Sequence, residues 1–423
     1  MQLTYRTRNQ HPLKNVYAGM IRALISLLCL AGMCAAQTRE ERWRQDLQSL
    51  EQQILSRHPN PFTKVTRTQF SEEARAIADS IPQRTDVQLA AEAARLVAMI
   101  GDAHTSLGLT QANARATFLP LRVRWFPDGL YVTQAAEIHA RAIGKRILRV
   151  GNKTAEECFD ILRRYVSHEN ENWARLISAN YFISPEILEA AGIVDAVGPV
   201  TYGFEDFELT IPPAALGLVN APYLSRPKFP LYRRNTAQPY WFDYLSDART
   251  VYVQYNQCRE TPALPFAQFT RELIVFIESN PVDRIVFDFR NNGGGNSAIL
   301  TPLLQALGAS FAAGKFLPSK GSYLLIGRQT FSSASLNTAE IKAQGATILI
   351  GEPTGGGASG FGEVVPFQLP NSQLTGQIST RLFTIPGFPG SSIAPDIAVE
   401  LTAADYFADN DPVLQKALEL PAP

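Results

Sequence analysis

The chain has 423 residues, with 39 Lys and Arg against 39 Asp and Glu, so its formal charge is zero. Hydrophobic residues make up 45% and charged residues 18%, which excludes a largely disordered chain, and the lack of a basic excess argues against a nucleic-acid binder. Four cysteines are too few for a disulfide-framed scaffold, and 28 Gly with 28 Pro exclude a collagen-like or low-complexity architecture.

The first 36 residues carry Arg6, Arg8, Lys14 and Arg22 and no acidic group, followed by the apolar run Ala23 to Ala36 and then a polar stretch. A basic start, a short apolar stretch and a small-residue end describe a secretory signal, with cleavage after Ala36 and a start at Met1 or Met20. The run is about 14 residues, short of the roughly 20 that a spanning helix needs, and a short N-terminal anchor is the alternative. The reading predicts an exported protein, periplasmic or extracellular, that meets the membrane only transiently. Without residues 1–36 the chain has 387 residues and a charge of −4. It keeps Cys158 and Cys258, either as a pair or as two buried thiols.

Residues 37–115 read as a helical domain. Trp43, Leu47, Leu50 and Ile54 line one face of a helix, and His58-Pro59-Asn60-Pro61 ends it. Two more helices are predicted over 70–81 and 86–100, the second closed by Gly101, with His104 just beyond. Residues 116–215 read as a β-rich module: strands near 119–125, 129–132 and 147–150, the turn Gly151-Asn152, and a helix over 155–165 capped by Thr154. The stretch 201–245, rich in Pro and Tyr, reads as the connection into the last domain.

Residues 246–423 alternate strands and helices, an α/β layered pattern. Strands are predicted at 250–255, 284–289, 323–326 and 347–350, and helices at 266–276, 297–307 and 333–343. Arg290-Asn291-Asn292-Gly293-Gly294-Gly295 follows one buried strand and Gly355-Gly356-Gly357 another. The spacing fits neither a dinucleotide fingerprint nor a phosphate loop. Taken alone, such a loop is a tight turn or a set of N–H donors for an oxyanion. Thr330-Phe331-Ser332-Ser333 stands between a strand and a helix, where a serine is a helix cap or a nucleophile beside a favourable helix N-terminus.

The segments RIVFDFRNNGGG, GRQTFSSAS, ILIGEPTGG and APDI, in that order, with IGDAHTSLG near residue 104, resemble the S41 serine peptidases. That family comprises the tail-specific or C-terminal-processing group and its tricorn-core relatives. The resemblance implies a crotonase- or ClpP-like layered β-β-α catalytic domain, and makes the module at 144–165 similar to their PDZ-like unit. It implies Ser332 as nucleophile, with the N–H groups of Gly294 and Ser333 as oxyanion donors. Gly357 stands where the Ser–Lys branch has its lysine. His104 matches the histidine base of the tricorn-like branch, whose preceding serine is Ala103 here and whose late glutamate is missing before Pro395-Asp396. Asp102, Glu352 and Glu363 are the acidic candidates to replace that glutamate, and Ser391 and Ser392 offer hydroxyls. The implied activity is hydrolysis of peptide or protein substrates, with no cofactor, metal or nucleic acid. A binding protein on the same scaffold is the rival reading, and a crotonase-type acyl-CoA enzyme a third.

Overall fold

The computed structural model describes residues 37–109, 117–214, 229–345 and 347–420, so the expected signal lies outside the described residues. Three helices come first: α1 (Arg39–Arg57), α2 (Arg67–Asp79) and α3 (Asp86–Ala98). Each opens on a threonine capping box, Thr38 with Glu41, Thr66 with Gln69 and Thr85 with Gln88. The apolar stripe of α1 is buried as its spacing predicts. It packs into one cluster with Phe70, Leu89 and Leu96 and with Phe367, Leu369 and Ile378 from far downstream. The opening helices therefore share their core with the other end of the chain.

That sharing has a backbone counterpart. The short strand β1 (Ser106–Leu107) pairs antiparallel with β15 (Thr375–Phe383), which pairs with β14 (Gly360–Gln368). The register sets Ser106 opposite Gln377 and Leu107 opposite Gly376. Gln377 Nε2 also donates to the His104 carbonyl at 3.0 Å, and the Ser379 N–H donates to Thr105 Oγ1 at 3.0 Å. At the far end of the hairpin the Asp46 carboxylate accepts the N–H groups of Asn371 at 2.8 Å and Ser372 at 2.7 Å.

The middle of the chain forms two small sheets. Strands β2 (Leu121–Phe126), β3 (Gly129–Ala135) and β4 (Arg146–Ile147) make one. Strands β6 (Lys153–Thr154), β5 (Arg149–Val150), β7 (Val200–Gly203) and β8 (Glu208–Ile211) make the other, in that spatial order. Helices α4 (Ala155–Leu162), α5 (Glu171–Ser178) and α6 (Pro185–Ala190) close over a core holding Trp125, Phe159, Phe182 and Tyr202. Cys158 lies in this core and Cys258 in another, and both are free buried thiols.

The last segment is a six-stranded sheet in the order β16-β13-β12-β11-β10-β9. Its members are β9 (Tyr240–Leu245), β10 (Thr250–Tyr255), β11 (Arg284–Asp288), β12 (Ser322–Ile326), β13 (Thr347–Gly351) and β16 (Ile397–Ala398). All neighbours are parallel except β9, an antiparallel edge. The central strands read as continuous apolar runs because both faces are covered. Ile285 and Phe287 face α7 (Phe266–Ser279), α8 (Thr301–Ala312) and α9 (Ser333–Ala343), while Val286, Tyr323 and Leu325 face α11 (Pro412–Glu419). A further short helix, α10 (Ala403–Phe407), precedes α11.

Two expectations shift. The stretch expected as a connection contains most of β7 and all of β8 and β9, the last an edge of the main sheet. The helix expected over 297–307 is a 3-10 turn at Ser297–Ile299 followed by α8, because Pro302 suits the first turn of a new helix.

Candidate active site

Strands β11, β12 and β13 are parallel neighbours, so their carboxyl ends and the loops that follow lie side by side. That edge of an open α/β sheet is where ligands bind. The loops are RNNGGG after β11, GRQTFS after β12 and EPTGGG after β13.

Thr330 fixes the middle loop. Its hydroxyl donates to the Phe289 carbonyl at 2.9 Å and accepts the Gly327 N–H at 3.1 Å. The Phe331 N–H donates to the Asn292 carbonyl at 3.0 Å, tying the first two loops together. Ser332 then turns the chain with φ +55° directly before α9. A non-glycine residue there costs on the order of 1–3 kcal/mol, a strain that recurs at functional sites. Ser333 is different: its hydroxyl is spent on the Gly295 carbonyl at 2.7 Å.

Gly294 has φ +103°, and a Cβ placed on it would lie 2.7 Å from the Ser332 Cβ. Only glycine lets this backbone reach the Ser332 turn. The Gly294 N–H donates to Asn292 Oδ1 at 2.9 Å within its own loop. The Ser333 N–H sits in the first turn of α9, where helix geometry provides no intrahelical acceptor.

The third loop explains the missing lysine. A Cβ on Gly357 would lie 2.1 Å from the Gly390 carbonyl oxygen, so the backbone leaves no room for any side chain. Gly357→Lys is expected to destabilise the fold by about 1–3 kcal/mol without supplying a base. Thermal unfolding checks this; a variant melting like the parent would contradict it.

His104 reaches the same place through the β1–β15 pairing. It lines a cleft of about 410 Å³ together with Ser332, Ser333, Glu169 and Phe361. Its ring stacks on Phe331 at 4.4 Å between centroids, and Trp173 covers the other face of Phe331 at 3.9 Å. Both ring nitrogens are buried and make no hydrogen bond within the protein, to Ser332 or to any other residue described. Burial outweighs the attraction of Asp102 and holds the His104 pKa below the usual histidine value of 6.5. The ring is therefore neutral, with a free lone pair, at pH 7.

Asp102 is buried beneath this turn. It accepts the His104 N–H at 2.9 Å, the Thr105 hydroxyl at 2.5 Å and His58 Nε2 at 3.1 Å. The Asn60 N–H donates to His58 Nδ1 at 3.1 Å, which leaves the ring proton on Nε2 to donate to Asp102. Burial pushes the Asp102 pKa up, but its hydrogen bonds, led by that from His58, bring it below the ordinary 3.8. Its Oδ1 stands 3.9 Å from His104 Nδ1, too far for a hydrogen bond.

The other two acidic candidates are each paired with an arginine. Glu352 pairs with Arg328 at 2.7 Å on a separate cleft of about 550 Å³ that Trp173 also lines. Glu363 lines the same cleft as His104 and Ser332, where it pairs with Arg381 at 3.3 Å with both side chains exposed. Ser391 contributes its carbonyl, which accepts Asn170 Nδ2 at 2.7 Å.

Glu169, His58 and Trp173 join the site without being marked by any motif. Glu169 lies in a polar run with no periodicity, and only the fold brings it to His104. Asp102, His104 and Glu169 each bring one ligand-type atom within 4.8 Å of the others. Three donors already engage the Asp102 oxygens.

No protein-family model and no curated protein matches the sequence. Solved structures do. Mature CPAF complexed with lactacystin superposes with a TM-score of 0.64 at 15% identity, over 90% of this chain and 98% of that chain. Mature CPAF gives 0.62 at 15% identity, over 90% of this chain and 96% of that chain. The photosystem II D1 C-terminal processing protease superposes more loosely, at 0.40 and 12% identity, over 87% of this chain and 94% of that chain. The chain has the mixed α/β fold of CPAF over nearly its whole described length.

Proposed function

We propose that this chain is a serine endopeptidase of the S41 type. The observation that carries the reading is one cleft holding a strained serine at a helix N-terminus and a neutral, unpartnered histidine. A serine hydroxyl is a weak nucleophile and needs a base, and a histidine held neutral at pH 7 is suited to that work. His104 takes the proton from Ser332 as Oγ attacks the scissile carbonyl. The Ser333 N–H and the α9 N-terminus hold the oxyanion, and the Gly294 N–H joins by sharing its contact with Asn292. His104 then protonates the leaving amine, and water hydrolyses the acyl-enzyme.

The substrate is a peptide or protein lying extended in the cleft. In this reading residues 37–115, 116–215 and 246–423 act as the base-carrying, PDZ-like and catalytic domains, the last with crotonase-like layering. The N-terminal segment directs export. No helix among the described residues is long and apolar enough to cross a membrane.

A fluorophosphonate probe tests the reading directly. It is expected to modify Ser332, located by peptide mapping, with a rate that rises with pH as His104 loses its proton. The missing hydrogen bond between His104 and Ser332 favours the rival reading of a binding protein, in which the probe stays silent from about pH 5 to pH 9.

A further inference from the structure

We propose that Glu169 is the residue that orients His104 and stabilises its charged form during hydrolysis, an inference that rests on the serine-peptidase reading above. A histidine base needs a partner on its second nitrogen, to fix its tautomer and offset the imidazolium charge. Asp102 is the nearer carboxylate in sequence, but its oxygens hold the His104 N–H, Thr105 and His58. It builds the turn, and its Oδ1, which accepts the His104 N–H, stands 3.9 Å from His104 Nδ1, beyond hydrogen-bond reach.

Glu169 accepts the Ala103 N–H, and its carboxylate keeps acceptor capacity for the ring. Its carboxylate lies within 4.8 Å of both the Asp102 oxygen and a His104 ring nitrogen, and it lines the cleft beside Ser332. The segment that carries it is pinned to the catalytic loops. Asn170 Nδ2 donates to the Gly355 carbonyl at 2.9 Å and Asn170 Oδ1 caps α5 through the Trp173 N–H at 2.9 Å. Asn172 Nδ2 donates to the Pro353 carbonyl at 3.1 Å. Trp173 then closes the stack on Phe331 and His104. Glu169 is thus held against the base by the same contacts that join the middle of the chain to the loops after β13. A side-chain movement of roughly 2 Å closes the remaining gap, as is common when a resting site receives substrate.

The charged groups facing Glu169 are Asp102, His104 and, more distantly, Lys64. Burial, reinforced by the Asp102 charge and opposed by the Ala103 N–H and Lys64, raises its pKa to about 7. Glu169 therefore ionises in the range where the base must work. As His104 takes the Ser332 proton, the Glu169 carboxylate accepts a hydrogen bond from the imidazolium; no bond to Glu169 forms or breaks.

The test measures the rate of fluorophosphonate labelling at Ser332, and of fluorescein-casein hydrolysis, in the full chain. The parent, Glu169→Gln and Glu169→Asp are compared from about pH 5 to pH 9. Glu169→Gln is expected to lower both rates about 100-fold at about pH 8 and to move the acid limb to lower pH. KM should change by less than about threefold, and Glu169→Asp should recover part of the loss. The melting midpoint of Glu169→Gln at about pH 8 should equal or exceed that of the parent, because a buried charge is removed. A parent that labels, with Glu169→Gln labelling at the same rate and pH profile, overturns the role of Glu169 and leaves the peptidase reading standing. A Glu169→Gln chain that melts well below the parent shows a structural role instead and also overturns it. A parent that never labels overturns both.

Discussion

Ser332→Ala should lower peptide hydrolysis by about four to six orders of magnitude, whereas Ser333→Ala should cost no more than about tenfold. The two serines are adjacent in sequence, and the backbone separates their roles. Ser332 occupies the strained turn at φ +55° and lines the cleft with His104. The Ser333 hydroxyl is committed to the Gly295 carbonyl, and removing it loses one hydrogen bond of about 1 kcal/mol. The Ser333 N–H, the proposed oxyanion donor, survives the alanine substitution. Steady-state hydrolysis of fluorescein-casein by both variants, with folding checked by thermal melts, decides the matter. Full activity in Ser332→Ala, or loss confined to Ser333→Ala, would move the nucleophile and with it the mechanism.

Asp102→Ala should have the largest effect on stability, about 3 kcal/mol or more at pH 7. The substitution leaves the His58 Nε2–H, the Thr105 hydroxyl and the His104 N–H buried without their acceptor. These groups also fix the turn from which β1 reaches β15, so loss of Asp102 loosens the joint between the first helices and the hairpin. The Asp102 pKa lies below the ordinary 3.8 in the folded chain. A lowered acid contributes stability that is present above its unfolded value and is lost as pH falls through the folded one. The gap between parent and Asp102→Ala in urea unfolding should therefore be full at pH 7 and narrow on acidification below about pH 4. An equal gap at both extremes would show that the carboxylate charge is not what the turn uses.

Much of the fold is legible in the amino-acid sequence. The helix over 39–57 follows from four apolar residues at helical spacing and a threonine cap, both local properties. The strands of the main sheet follow from continuous apolar runs ended by glycine loops. The hairpin over 360–383 is not legible in this way, since Pro366 and scattered charges blur its alternation and its burial is decided by the distant α1 and α2. The strand at 240–245 is hidden by its Pro- and Tyr-rich surroundings. Asp102 stands in the sequence as one acidic candidate among three, and its role in the turn emerges only with His58 and Thr105 in place. Glu169 has no sequence signal at all.

By itself the sequence determined the helices of the first and last segments, the central strands of the main sheet and the residue types able to do serine chemistry, because capping, periodicity and glycine loops act within a few residues. Which of these residues meet was decided by the tertiary structure. Parallel strands β11, β12 and β13 place three loops on one edge, and the β1–β15 pairing carries His104 to them across about 270 residues. The charge state of the site was decided there too. Desolvation and the placing of Asp102 and Glu169 depend on what packs around each group, and that exists only in the folded chain.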